Sequence, residues 1–244
     1  MAIIKPVKGL TRNTQKIFET ISRMDCLNAL FLCGGTAISV QLSHRLSEDL
    51  DFELIGTAAE RPPLSFGTII NEINALFPGA RKEILGSDHF MMLLPGNVKL
   101  SFFRPRNPVP SLRTGYRHNN IKTPILQELL GMKIFTTTVR NTYRDYYDIY
   151  CLLKEDLDLE QGIRYAISFS RHTIHTKQII TNLTTPQLYI KEKDFDKLYS
   201  TRYNVSSEEI NELIRLKFEN IGEKFKIQQK FESKEEKSNT QRKP

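Results

Sequence analysis

Residues 34–52, with the sequence GGTAISVQLSHRLSEDLDF, carry the pattern on which the prediction of fold and function is based. A pair of glycines precedes a run long enough for about one short helix, and an alternating segment follows in which Leu50 separates Asp49 from Asp51. Successive side chains of a β-strand point to opposite faces, so a strand here would place both carboxylates on one face. Two carboxylates at that range repel each other, and a divalent cation such as Mg²⁺ would neutralise both with the oxygen ligands it prefers.

The glycine pair supplies the second half of this prediction. Without side chains, Gly34 and Gly35 let the backbone approach a phosphate group closely, and the following helix, capped by Thr36, offers free N–H groups to the anion. Taken alone, a Gly-Gly pair is usually a simple turn, and an Asp-x-Asp strand is commonly a solvated sheet edge. The combination is more specific, and it predicts a site for a metal-bound triphosphate.

Composition limits the class of protein. The chain has 244 residues, a net charge of +7 and a pI of about 9.2, which is compatible with a polyanionic partner. It has no apolar run of the ~18 residues that a membrane span requires, and its first residues lack the features of a secretion signal, so we expect a cytoplasmic protein without a membrane partner. The three cysteines form no Cys-x-x-Cys pair, which argues against a disulfide framework or a structural zinc site.

A basic stretch lies in the middle of the chain. No Asp or Glu occurs from His89 to Gln127, whereas six Lys and Arg residues do: Lys99, Arg104, Arg106, Arg113, Arg117 and Lys122. Such a stretch is either a solvated surface or a set of phosphate contacts, and the sequence favours neither.

Hydrophobic periodicity predicts a mixed α/β first half and a helical second half. We expect helices over residues 11–30, 36–42 and 66–76, strands over 29–33, 50–55, 81–85, 89–94 and 98–103, and a hairpin turn at Pro95-Gly96-Asn97. Thr123-Pro124 is typical of a helix start. These elements predict an α+β fold with three parts: an α/β core over residues 1–110, a helical domain over 111–221 that completes a cleft, and a charged, disordered tail over 222–244.

The first motif resembles the hG[G/S]…DhD pattern of polymerase-β-like nucleotidyltransferases, and His44, Arg45 and Ser47 ahead of the Asp pair make it similar to the AbiEii/AbiGii toxin family. This resemblance implies a polymerase-β-like core with a mixed sheet, in which Asp49 and Asp51 are catalytic and hold Mg²⁺. It also implies nucleotide binding by Gly34, Gly35, Thr36, Arg45 and Ser47.

That family carries a second motif, which occurs here as KIFTTTVRNTYRDYYDIY over residues 133–150. On a continuous helix, four of its residues would share one face, with Asp145 on the shoulder: Lys133, Arg140, Arg144 and Asp148. A helix break at Asn141-Thr142 would invalidate this arrangement, and the alternative is an exposed, salt-bridged helix face. The resemblance makes Lys133 and Asp148 catalytic, with Lys133 neutralising phosphate charge and Asp148 acting as a base or completing the metal site. Arg140, Arg144 and Asp145 would contact the nucleotide.

The resemblance implies a toxin of a type IV toxin–antitoxin or abortive-infection system that transfers NMP from an NTP to an acceptor. Its partners would be an NTP, a cognate antitoxin and an acceptor such as the tRNA 3′ end. Ser101 stands where many relatives of the wider superfamily carry a third carboxylate, so the number of metal ions stays open. Two alternatives also stay open: nucleotidylation of a protein or small molecule, and a binding module that has lost catalysis.

Two other clusters are weaker candidates. His172 and His175 have helical spacing but no third ligand nearby, so a metal site is not favoured. Tyr143, Tyr146, Tyr147 and Tyr150 could stack on bases, yet at this spacing some of them must pack between the two halves of the protein.

Overall fold

The computed structural model describes residues 7–54, 65–104, 112–170 and 173–222 of the chain. In chain order the helices are α1 (Arg12–Ile21), α2 (Gly34–Leu42), α3 (Phe66–Leu76), α4 (Leu126–Thr137), α5 (Tyr143–Lys154), α6 (Leu159–Phe169), α7 (Thr176–Thr184), α8 (Phe195–Tyr199) and α9 (residues 207–222). The strands are β1 (Phe31–Cys33), β2 (Leu50–Glu53), β3 (Arg81–Leu85), β4 (His89–Leu94), β5 (Val98–Phe103), β6 (Thr114–His118) and β7 (Ile121–Pro124). None of the described helices is both long and apolar enough to cross a membrane.

Five strands form one mixed sheet in the order β1-β2-β5-β4-β3. The central pair, β2 and β5, is parallel, and the other neighbouring pairs are antiparallel. This mixed sheet with helices around it confirms the α+β prediction. The turn at residues 95–97 is also confirmed, because Leu94 pairs with Val98 and both Gly96 and Asn97 have positive φ.

One face of the sheet packs into the main hydrophobic core. Its buried side chains alternate along the three inner strands, as period-2 patterning requires: Leu50, Phe52, Phe90, Met92, Leu100 and Phe102. The ring of Phe90 stacks on Phe102 at 4.7 Å and meets Phe66 of α3 edge-on at 4.7 Å. The opposite face of the same strands therefore carries Asp51 and Ser101, which are paired across β2 and β5.

The single helix predicted over residues 11–30 is wrong in its second half. Helix α1 ends at Ile21, and Asp25–Ala29 forms a separate 3₁₀ helix, although the apolar positions of the pattern are buried as predicted. The reason lies far along the chain: the backbone N–H of Asn120 donates to the Ser22 carbonyl at 2.8 Å, and its side chain donates to the Met24 carbonyl. These bonds occupy carbonyl oxygens that would accept hydrogen bonds from N–H groups of the next turn if the helix continued.

A second difference is the hairpin of β6 and β7, which falls where a helix start was predicted. Thr123 lies in β7, where its hydroxyl accepts hydrogen bonds from the backbone N–H of Tyr116 and from the amide of Gln41. Helix α4 accordingly begins only at Leu126. The Asn119-Asn120 turn, with Asn119 at φ 50°, is the local signal for this hairpin.

The second half of the chain is otherwise helical. Tyr143, Tyr146 and Tyr147 of α5 are fully buried, which confirms packing as their main role, while Tyr150 is half-buried. Strand β7 lies against β1, so the β6–β7 hairpin joins the α/β part to the helices. The three-part division at residues 110 and 221 stays a prediction, and residues 223–244 lie outside the described ranges.

Candidate active site

A cleft of about 590 Å³ lies between the Asp51 face of the sheet and helices α2, α4 and α5. That volume is within the range typical of small-ligand sites. Ten of the twelve predicted site residues line it: Gly34, Gly35, Thr36, Arg45, Ser47, Asp49, Asp51, Lys133, Arg140 and Arg144. Asp148 is fully buried behind Gly35 and does not line the cleft. Asp145 lies one layer behind, where it binds Lys133.

The glycine pair has two distinct roles. Gly34 has φ +68°, a left-handed conformation that favours glycine, and it begins α2 next to the carboxylate of Asp51. A Cβ atom on Gly35 would overlap Nη2 of Arg45 and would lie 3.2 Å from Oδ2 of Asp148. Gly35 is therefore required for the close approach of a buried side-chain pair, a role that the sequence did not indicate.

Thr36 does not cap the helix as predicted, because the N-cap position is Cys33 and Thr36 is buried inside the first turn. Its hydroxyl hydrogen-bonds to the Asp49 carbonyl and lies 2.8 Å from Oγ of Ser47. These contacts tie α2 to the segment that enters β2. Thr36 and Ser47 thus fix the position of Asp49, which lies one residue before the strand.

Asp49 and Asp51 both face the cleft, as the alternation predicted. Burial, together with the neighbouring charge of Asp49, raises the pKa of Asp51, while a hydrogen bond from Ser101 opposes that shift. Ser101 therefore lies beside Asp51, at the position considered for a third carboxylate, and acts as a hydrogen-bond donor to it. Glu53, two residues further along β2, also lines the cleft, and the same period-2 alternation could have identified it.

The continuous helix predicted for residues 133–148 is wrong, because α4 ends at Thr137 and α5 begins at Tyr143. The break falls at the Asn141-Thr142 site that the sequence indicated. The two helices instead bring their charged residues face to face. Nζ of Lys133 lies 2.7 Å from Oδ1 of Asp145 and 2.8 Å from Oδ2 of Asp148.

Asp148 is the centre of a fully buried ion cluster. Arg45 donates to it from Nε at 2.7 Å and from Nη2 at 3.0 Å, and Nε2 of His44 lies 2.7 Å from Oδ1. Burial alone would raise the pKa of Asp148, but Arg45 and Lys133 hold it well below its usual range. A carboxylate with both oxygens engaged in this way does not favour the predicted role as a base.

The same cluster extends to the rim of the cleft. Asp145 accepts hydrogen bonds from Arg140 at 2.8 Å and from Thr142 at 2.5 Å, and its pKa is lowered despite burial, chiefly by the charge of Lys133. Burial lowers the pKa of His44, which is therefore neutral. Three cations and two carboxylates leave the cluster with net positive charge, and it faces the acidic end of β2 across the cleft.

Arg144 lines the same side of the cleft as Arg45, Lys133 and Arg140, and we call this side the basic wall. Its guanidinium lies 5.7 Å from the ring centre of Tyr199, and that of Arg45 lies 5.8 Å from the same ring. Arg144 makes no ion pair among the described residues. Tyr199 comes from α8, and no local signal in the sequence connects it with this site.

The basic stretch of residues 89–127 does not form one surface. Arg104 lines the cleft, and Lys99 is exposed on β5. Arg113 instead pairs with Glu128 at 3.3 Å, and Lys122 donates to the Asn28 carbonyl at 2.9 Å. Arg106 and His172 lie outside the described residues, and His175 is the exposed N-cap residue of α7.

The donor set of the cleft fits magnesium. Among the described residues, no group of three or more His, Cys, Asp or Glu side chains is placed to hold a metal. Mg²⁺ is commonly held by only one or two carboxylates together with substrate phosphates and water, which suits Asp49 and Asp51. Burial, with a smaller contribution from the charge of Asp49, raises the pKa of Asp51, and a bound cation would favour its charged form.

The chain is similar to known proteins in both sequence and fold. The family described as "Nucleotidyl transferase AbiEii toxin, Type IV TA system" matches residues 16–224. An uncharacterised protein of Aquifex aeolicus is 28% identical over 151 residues, which cover 61% of this chain and 69% of that protein.

Two solved structures share the fold. The JHP933 protein of Helicobacter pylori superposes with a TM-score of 0.54 at 13% identity, covering 91% of this chain and 99% of that one. MenT4, a nucleotidyltransferase toxin of Mycobacterium tuberculosis, superposes with a TM-score of 0.50 at 15% identity, covering 85% and 84%. At these identities the likeness concerns the fold alone.

Proposed function

Because the chain belongs to the AbiEii family of nucleotidyl transferase toxins of type IV toxin–antitoxin systems, we propose that its cleft transfers NMP from a magnesium-bound NTP to the 3′ end of a tRNA. The observation that carries the proposal is the placement of Asp49 and Asp51 opposite Lys133, Arg140 and Arg144 in one cleft. A metal-loaded triphosphate needs both signs of charge at that range.

Each wall of the cleft has a distinct task in this reaction. Asp49 and Asp51 would hold Mg²⁺, which supplies charge neutralisation at the reacting phosphate. The first turn of α2 presents free N–H groups to the phosphates, and Gly34 leaves room for them beside Asp51. Arg140 and Arg144 bind the β- and γ-phosphates from the opposite wall.

Lys133 stabilises the charge that develops during transfer. Its ammonium group has three donors, and the two carboxylates of α5 accept from two of them. The third is available to a phosphate oxygen, because Lys133 lines the cleft. Asp148 would then act by holding Lys133 and Arg45 in place, which revises its predicted role as a base or metal ligand.

The reaction is an in-line displacement. A hydroxyl oxygen of the acceptor forms a bond to the α-phosphorus, the bond to the bridging oxygen breaks, and pyrophosphate leaves with its electrons towards the basic wall. The hydroxyl proton passes to solvent. Positioning and charge stabilisation supply most of the catalysis in such transfers.

The test is to incubate the protein with Mg²⁺, each of the four α-labelled NTPs and total tRNA. We expect labelled RNA that RNase destroys and protease leaves intact, no label in the presence of EDTA, and no label with Asp51→Asn. Label that protease removes would instead identify a protein acceptor. If no NTP is consumed under any of these conditions, the proposal is wrong.

The proposal includes a cellular setting. An NTP and tRNA are both cytoplasmic molecules, so we propose that the enzyme acts in the cytoplasm, arrests growth there, and is neutralised by a cognate antitoxin protein. Expression of the parent chain should arrest growth, and expression of Asp51→Asn should not. Co-expression of the antitoxin should restore growth of the parent strain.

A further inference from the structure

The sheet face that carries Asp51 continues beyond the cleft onto β4 and β3. Strand pairing defines a row across this face in which Asp51 is followed by Ser101, Met91 and Ile84. The next row towards the β4–β5 turn consists of Lys99, Leu93 and Arg81. These rows connect the metal-binding end of β2 to the outer strand of the sheet.

The two ends of this face differ in accessibility. At the β1 end, Phe31 and Cys33 are buried under Met132 of α4 and Phe169 of α6. At the β3 end, Ile84 is 42% exposed, the Arg81 side chain is 70% exposed, Lys99 is exposed, and Met91 and Leu93 are half-buried. In the described part of the chain, the rows are therefore open towards β3 and closed towards β1.

The open end carries positive charge. Strands β4 and β5 contain no Asp or Glu, and Glu83 of β3, at the register shift between Lys82 and Ile84, lies 3.9 Å from Arg81. Lys99 and Arg81 flank the half-buried Leu93, and neither is needed for a buried ion pair. A shallow apolar floor between exposed cations suits a nucleic-acid strand, whose phosphates pair with the cations and whose sugars and bases contact the apolar floor.

Chemistry determines the direction from which the acceptor approaches. Helix α4, which carries Lys133, packs over the β1 side of Asp51, so the phosphates that leave as pyrophosphate lie on that side. In-line displacement requires the attacking hydroxyl to approach from the opposite side. The opposite side of Asp51 is β5, followed by β4 and β3.

We propose that the acceptor RNA binds along this open face, which we call the acceptor trough and define by Arg81, Ile84, Met91, Leu93 and Lys99. The inference rests on the proposed function and adds to it the surface that guides the RNA 3′ end to Asp51. Arg81 and Lys99 contact RNA phosphates, so they affect binding of RNA and leave binding of the NTP unchanged.

The experiment measures binding separately from transfer. Fluorescein-labelled tRNA is titrated with the full chain carrying Asp51→Asn, which prevents turnover, and the anisotropy is recorded at several salt concentrations. The trough variant adds Arg81→Glu and Lys99→Glu. The matched control adds Lys16→Glu and Lys177→Glu, which reverse the same number of charges at exposed lysines of α1 and α7. A fluorescent ATP analogue reports NTP binding by the parent chain and by the same two charge-reversal variants made in the parent chain, all of which keep Asp51.

We expect the trough variant to bind tRNA at least tenfold more weakly than the control. In the neutral Arg81→Gln/Lys99→Gln variant, the slope of log K against log salt concentration should become smaller by about 2, or about 1 for each lost phosphate contact. The affinity for the ATP analogue should change less than twofold. Equal tRNA affinity in trough and control variants overturns the acceptor trough while leaving the nucleotidyltransferase proposal intact. If the parent does not bind tRNA at all, the acceptor trough is also overturned. If tRNA binds and binding depends on the trough, but the tRNA is not labelled from α-labelled NTP, only the proposed reaction is contradicted.

Discussion

Two pairs of aspartates lie in or directly behind the same cleft, and they differ in the charges that surround them. Asp49 and Asp51 lie at the start of β2, where burial raises the pKa of Asp51 although the charges of Lys133 and Arg140 oppose this shift. Asp145 and Asp148 lie on a helix among Lys133, Arg45 and Arg140, and the pKa of each is lowered despite burial. Aspartates in these two places therefore have different environments and different roles. Under the proposed function the first pair would bind a cation as ligands, whereas the second pair holds the protein's own cations in place.

The largest expected effect comes from neutralising the first pair. Asp51→Asn should lower the transfer rate by about 10³-fold or more, because several kcal/mol of transition-state stabilisation depend on the metal. The metal-free protein should at the same time become more stable, on the order of 1 kcal/mol, since the substitution removes a carboxylate whose charged form is disfavoured in the fold. Activity assays and thermal unfolding without metal measure both.

The sign of this stability change can be checked by pH. The folded pKa of Asp51 is above its unfolded value, so the metal-free parent should gain stability as pH falls through that folded pKa, and Asp51→Asn should lack this gain. Added Mg²⁺ and NTP should stabilise the parent and have little effect on the variant. A variant that loses stability instead would show that Asp51 has a structural role.

Removing the carboxylate of Asp148, in the second pair, should mainly lower the stability of the protein. Asp148→Ala leaves Lys133 and Arg45 buried without their main partner, and breaking a buried pair in this way costs about 3–5 kcal/mol. Because the pKa of Asp148 is lowered by folding, its contribution is present above the unfolded pKa and is lost as pH falls through the folded pKa. Denaturant unfolding at neutral pH measures the cost. A loss of activity without a loss of stability would restore a direct catalytic role for Asp148.

A smaller loss of stability should follow from adding a methyl group beside the ion cluster of Asp148. Gly35→Ala places a methyl group against the guanidinium of Arg45, and such overpacking costs about 1–3 kcal/mol. Gly67→Ala is the matched control, since its Cβ would meet nothing closer than 3.5 Å in helix α3 and should stabilise the protein by up to about 1 kcal/mol. Equal stabilities of the two variants would show that Arg45 can move away without cost.

The smallest expected effect concerns the hydrogen bond of Ser101. Ser101→Ala removes an interaction that lowers the pKa of Asp51, so the acidic limb of the kcat/KM profile should move to higher pH. We expect a change of only a few-fold, about what one hydrogen bond to a charged group provides. A pH profile measured at saturating Mg²⁺ checks the shift, and a uniform loss at every pH would argue against a role through Asp51.

Some parts of the fold were predictable from local sequence. The strands over residues 81–103 and helix α3 were predicted because period-2 and helical alternation, proline and glycine are local signals. The hairpin of β6 and β7 differs from the predicted helix start because the Asn119-Asn120 turn pairs Thr123-Pro124 with β6, so that helix α4 begins only at Leu126. The helix over residues 11–30 was overextended because its end depends on hydrogen bonds from Asn120, about a hundred positions away.

The sequence by itself indicated the acidic pair and most of the cations that line the cleft, because the acidic alternation and the charged second motif are local patterns, whereas Tyr199 had no local signal. Only the tertiary structure decided what they do there. A break between α4 and α5 turns Lys133 towards Asp148, and the return of the chain before β2 brings Arg45 to the same carboxylate. The physical reason is that burial and the nearest opposite charge fix the state of an ionisable group, and both depend on contacts between residues distant in sequence.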